Sequence, residues 1–167
     1  MSKRVRQYVA LLVAIVVYYI VHEGAHLLAT LCYGVFRSIR FMGVGMQVVI
    51  EESALSETQL GVFCLVGALA TFVVAWMLVW AAPRICRMKS KLSRAIFYYI
   101  SLAMLFVDPV YLSVCYSFFG GGDMNGISML MPELAARSAF AVLLVVHLLV
   151  FFKYLLPCYK AAFAENP

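Results

Sequence analysis

The sequence predicts an all-α membrane protein of about four transmembrane helices, with a short membrane-surface β-hairpin after the first. Three observations carry that expectation. The 167 residues are 65% apolar and only 13% charged, with a mean hydropathy of +0.96, whereas soluble domains are about 45–50% apolar and about 25% charged. Four apolar stretches, at 8–33, 60–82, 95–119 and 139–157, match the roughly 20 residues that a helix needs to span a bilayer. Between the first two, residues 41–50 are β-branched, glycine-punctuated and partly alternating, which is a strand signal. No internal repeat or low-complexity linker divides the chain, so a single integral membrane domain is expected over 1–167.

The first stretch follows Lys3, Arg4 and Arg6, as the h-region of a secretory signal would. Its apolar run exceeds the 7–15 residues of such a region, so it reads as a retained span. Residues 41–50 read as a hairpin lying at the membrane surface, the rival being a glycine-loosened amphipathic loop. In the second span Gly67, Thr71 and Ala75 recur every four residues, a small-residue stripe that lets helices approach closely in lipid. The third span contains Asp108-Pro109 and runs into Gly120-Gly121-Gly122. The fourth carries His147, read as a hydrogen bonder within the bundle, and Lys153, whose stem can snorkel to the interface.

Charge sets the expected orientation. All of the 13 cations except Arg37, Arg40 and Arg137 fall at the two chain ends or around the linker between spans two and three. The positive-inside bias then places both termini and that linker in the cytoplasm, the cell membrane being the expected location. The same bias explains the net charge of +5 without nucleic acid, and no glycine-rich phosphate loop suggests a nucleotide. The five cysteines form no C-x-x-C and lie mostly in apolar runs, so they read as buried thiols rather than a disulfide framework or a metal cluster.

Ionisable groups within a span are costly, about 2.5–3.5 kcal/mol each on insertion scales, and mark function by default. Here they are His22, Glu23, His26, Asp108 and His147, with Asp123 just beyond span three. Three of them make up His22-Glu23-Gly24-Ala25-His26, an H-E-x-x-H pattern inside an apolar helical run. Residues four apart share a helix face, so both imidazoles can reach one zinc ion while Glu23 serves as general base. The rival reading is a polar cluster that pairs with itself or lines a pore.

On these residues the sequence resembles the site-2 protease family of intramembrane zinc metalloproteases, as a small, minimal-core member. The likeness includes the surface hairpin and Gly67-Ala68-Leu69-Ala70-Thr71, which is similar to the family's G-P-L-A-N stretch with Ala68 and Thr71 replacing Pro and Asn. It covers residues 8–127, although the family's N-P-D-G-type motif is missing in its usual form. The resemblance implies one Zn2+ per chain and a third ligand that is an aspartate of the third core helix. Asp123 and Asp108 compete for that place, with His147 as an outside candidate. Asp108 sits near mid-span. Asp123 lies past the span's end, but the glycine run could turn the chain back, and its Gly-Asp-Met-Asn-Gly setting looks more like the ligand motif of small family members.

The expected function is hydrolysis of a peptide bond in a transmembrane or membrane-associated substrate, within or at the edge of the bilayer. Asn125 is a candidate donor to the substrate carbonyl. The hairpin, with Gly43, Val44 and Gly45 at its tip, is a candidate platform for β-addition of an unwound substrate strand. Two rival classes are a membrane metal hydrolase for a small or lipid-linked amide, and a non-catalytic relative that only binds metal or substrate. In known members of the family the metal lies toward the cytoplasmic face, whereas the charge bias here puts His22 and His26 toward the outside.

Overall fold

The computed structural model describes residues 2–42, 45–119 and 122–165. Helix α1 (Lys3–Tyr33) starts at Ser2, whose hydroxyl accepts from the Val5 amide at 3.3 Å, and stops at Gly34 in the left-handed region at φ 70°. Its 31 residues reach about 46 Å at 1.5 Å per residue, more than the roughly 30 Å hydrocarbon core. The basic first turns therefore extend the helix beyond the expected 8–33. Strands β1 (Phe36–Met42) and β2 (Gly45–Ile50) form an antiparallel pair in which Ile39 faces Val48 and Phe41 faces Met46. Among the described residues the sheet has two strands, and the far edge of β2 carries no strand. Gly43 and Val44, expected at the hairpin tip, lie outside the described residues. Beyond the hairpin, Glu51 accepts from Ser53 and pairs with Arg37. These two contacts, the serine first, hold its carboxyl below the usual carboxylate range.

Helix α2 (Glu57–Cys86) opens with a capping box between Ser56 and Gln59, which satisfies two amides that no helical carbonyl can reach. It is the central helix. Its buried face runs Gly61, Cys64, Ala68, Thr71, Ala75, Val79 and Ala82, small residues at helical spacing that admit close neighbours in a medium where apolar burial alone drives little association. Helix α3 (Lys91–Val110) is capped by Ser90, and a π-helical turn at Tyr111–Cys115 continues it into α4 (Tyr116–Phe119). Helix α5 (Gly122–Leu130) then packs back on α2. A Cβ at Gly126 would strike Cys64 Sγ, and one at Gly61 would strike Leu130 and lie 2.9 Å from the Gly126 carbonyl. Paired glycines therefore seat this short helix at van der Waals distance.

Helix α6 (Glu133–Val150) passes through a second π-helical turn, Phe151–Leu155, into α7 (Leu156–Glu165). The fourth span thus outruns the expected 139–157 at both ends and continues through Pro157. The widened turn just before the proline accommodates a residue that would break a regular helix. Among the described residues, four helices are long and apolar enough to cross a membrane, Lys3–Tyr33, Glu57–Cys86, Lys91–Phe118 and Glu133–Ala164. The protein is a multi-pass membrane protein. One apolar cluster, around Ala14, Ala75, Val79, Met104 and Leu105, fills the bundle between α1, α2 and α3, and a second, around Phe63, Leu112, Met124 and Ile127, fills the space under α5.

Pro109 explains a buried polar contact across the bundle. Proline has no N–H, so the carbonyl four residues earlier loses its helical partner. That carbonyl belongs to Leu105, and His147 Nδ1 donates to it at 2.6 Å. The imidazole is fully buried and stacks on Phe72 at a centroid distance of 5.9 Å. His147 is therefore a bundle residue with a backbone task, as its lone position on the fourth span suggested. Likewise, the Ser113 hydroxyl bonds the Pro109 carbonyl at 2.5 Å, and Arg137 Nε bonds the Ser113 carbonyl of the π-helical turn at 3.3 Å. Replacing His147 with Leu should destabilise the protein in detergent by about 1–3 kcal/mol, because a buried carbonyl is left unsatisfied. Thermal unfolding of His147→Leu checks this, and metal content should be unchanged.

Candidate metal centre

One helical turn of α1 sets the first two donors. His22 and His26 share a face, both are buried, and their Nε2 atoms lie 3.2 Å apart. Asp123, in the first turn of α5, brings Oδ2 to 3.2 Å from His22 Nε2 and Oδ1 to 3.7 Å from His26 Nε2. Donor atoms of the three residues lie within 4.8 Å of one another, close enough for one ion to bridge. Two imidazoles and one carboxylate form the three-ligand set that leaves a fourth position open on a tetrahedral metal. Asp123 reaches this depth because α5 begins at Gly122 and docks on α2 through Gly61 and Gly126. Gly120 and Gly121, where the sequence suggested a turn, lie outside the described residues.

The other ring nitrogens are also engaged. His26 Nδ1 lies 2.8 Å from the Phe63 carbonyl. Since a carbonyl only accepts, the proton sits on Nδ1 and the Nε2 lone pair points to the cluster. His22 Nδ1 lies 3.2 Å from Asp108 Oδ1. Asp108 is itself held by the Tyr18 hydroxyl at 2.5 Å and by the Thr71 hydroxyl. It therefore occupies the Nδ1 side of the His22 ring, and Asp123 the Nε2 side. A carboxylate behind a metal-binding histidine fixes tautomer and ring orientation, so the two aspartates that compete in the sequence take different positions on one imidazole. His147 is absorbed by the Leu105 carbonyl and joins neither side.

Gly67 contributes by having no side chain. A Cβ there would lie 2.5 Å from His26 Nε2 and 2.8 Å from His22 Nε2, inside any permitted contact. In the sequence this glycine reads only as part of a packing stripe. Its clearance for both imidazoles emerges when α1 crosses α2, and the G-A-L-A-T setting was the one hint of it.

Glu23, between the two histidines, turns toward the hairpin, where its Oε2 accepts from the Val48 amide at 3.1 Å. That amide is therefore directed away from β1, and the strandless edge of β2 lies beside the glutamate. Gly45, at the start of β2, pairs with Met42. Asn125 is exposed, its side-chain oxygen accepting from the Tyr116 hydroxyl at 2.6 Å. It stands two residues from Asp123 without joining the cluster. No family model, curated protein or solved structure matches the chain.

The two aspartates are separable by metal affinity. Asp108→Asn should weaken binding about 10–100-fold, as loss of a ring-orienting partner does. Asp123→Asn should weaken it further, because a donor itself is lost. Chelator competition on purified protein measures both, and an Asp123→Asn variant that binds as tightly as the parent would remove Asp123 from the donor set.

Proposed function

We propose that the protein is an intramembrane zinc metalloendopeptidase of the site-2 protease type, cutting a membrane-embedded peptide within or at the edge of the bilayer. The convergence of two imidazoles and one carboxylate at a single point inside a spanning bundle carries this reading. In lipid, such a group of charges is expensive unless it is partnered. His22, His26 and Asp123 would hold one zinc ion, a borderline metal that takes imidazole nitrogen and carboxylate oxygen together. When bound, zinc supplies a water whose pKa falls to about 7 and polarises the scissile carbonyl.

The chain's own groups do the rest. Glu23 accepts the proton as the water oxygen bonds to the carbonyl carbon. It then delivers a proton to the amide nitrogen as the C–N bond breaks. Asp108, steadied by Tyr18 and Thr71, holds the His22 ring in place, and the Phe63 carbonyl does the same for His26. A transmembrane helix buries its own amides, so the substrate must unwind before its carbonyl is reachable. The open edge of β2 supports capture of that unwound strand by β-addition. Substrate pairing there would compete for the Val48 amide that now engages Glu23. The same edge weighs against a hydrolase of small amides, which has no use for a strand acceptor, and a glutamate beside the donors weighs against a site that only binds.

Both termini and residues 87–90 are assigned to the cytoplasmic side of the cell membrane by the positive-inside bias. Reporter fusions at residues 87–90 check this, and an external signal there would invert the orientation. Glu23→Gln should keep zinc bound while cleavage of a model transmembrane substrate falls about 10²–10⁴-fold. Metal analysis paired with a reconstituted cleavage assay reads both quantities, and normal turnover by that variant would overturn the assignment. A substrate helix weakened by glycines near the cut should be cleaved faster than its leucine counterpart.

A further inference from the structure

A different feature lies at the basic end of the bundle. The start of α1, the first turns of α3 and helix α7 enclose a cavity of about 670 Å3, within the range of about 300–1,000 Å3 for small-molecule sites. Its walls are largely apolar, with Tyr98, Tyr99 and Leu156 among them, while Lys3, Arg6 and Lys160 supply cations. No Asp or Glu lines it among the described residues.

Arg94 is an independent observation at the same place. The residue before the lining Ala95, it is fully buried, although the sequence reads it as a linker cation. One of its nitrogens donates to the Ala162 carbonyl, while Nε and the second terminal nitrogen have no partner. Its guanidinium lies 5.2 Å from the centroid of Phe163, a cavity wall, and Arg6 approaches the same ring at 5.9 Å. Two guanidiniums thus flank one ring, and no carboxylate among the described residues is paired with either of them. A buried charge met only by a carbonyl and a ring face leaves a strongly positive potential.

We propose that this cavity binds an anionic phospholipid, its phosphate held by Arg6 and Lys160 and its acyl chain lying against Tyr98, Tyr99 and Leu156. Basic pockets between transmembrane helices take anionic headgroups in this way, and the apolar walls favour a lipid over a free anion. The site stands apart from the His22–His26–Asp123 cluster and does not depend on what that cluster catalyses.

The test uses full-length protein in neutral detergent, with bound lipids counted by native mass spectrometry across a titration. The probes are dioctanoyl phosphatidylglycerol, dioctanoyl phosphatidylcholine and inorganic phosphate. Phosphatidylglycerol should bind saturably at one site and phosphatidylcholine far more weakly. Arg6→Gln combined with Lys160→Gln should weaken phosphatidylglycerol roughly 30-fold, about fivefold per cation. Ala164→Trp, which fills the cavity from an exposed position, should weaken both lipids. Equal affinity for the two lipids, or an unchanged affinity in both variants, would overturn the proposal. So would inorganic phosphate that displaces the lipid at equal concentration, since the site would then recognise a free anion.

Discussion

A polar group carried into a bilayer finds no water, so it must find a partner in the protein. In α1 that requirement falls on His22 and His26, and the surrounding helices meet it with oxygen on each side. Asp108 and the Phe63 carbonyl engage the two Nδ1 atoms, and Asp123 faces the two Nε2 atoms. Tyr18 and Thr71 in turn engage Asp108. The network draws on α1, α2, α3 and α5, so the placement of the polar cluster and the packing of the bundle are one problem. Removing one member leaves the others with an uncompensated charge or lone pair in a medium of low dielectric.

Close backbone approach makes this network possible. Gly67 leaves α2 clear where the imidazoles converge, while Gly61 and Gly126 let the nine-residue α5 lie flat on α2. Small side chains thereby act on the polar cluster without joining it: they set how deep Asp123 reaches and how much room the rings have. The prolines follow the same logic. Pro109 frees a carbonyl that His147 satisfies from another helix, so a local break in α3 becomes a bond across the bundle.

The two ends of the molecule differ in chemistry. On the hairpin side, an edge of β2 that carries no strand among the described residues lies beside Glu23, which accepts from its Val48 amide. At the opposite, basic end, aromatic walls and cations surround a cavity suited to an anionic amphiphile. The bundle between these two ends is held by the small-residue face of α2.

Much of this was legible in the sequence because it depends on composition and on spacing along one chain segment. Apolar runs of bilayer length specify four spanning helices, alternation and glycine specify the hairpin, and four-residue spacing puts His22 and His26 on one face whatever the neighbours do. The rest depends on contacts between segments far apart in the chain. The local setting favours Asp123 over Asp108 only as a likeness; that Asp123 faces Nε2 of both histidines while Asp108 takes Nδ1 of His22 is decided by how α3 and α5 pack around α1. Gly67 reads as a packing residue until α1 crosses it, and Arg94 as a linker cation until α7 closes over it. Side-chain periodicity is a property of the backbone, whereas the depth and partner of a buried charge are set by how the helices assemble.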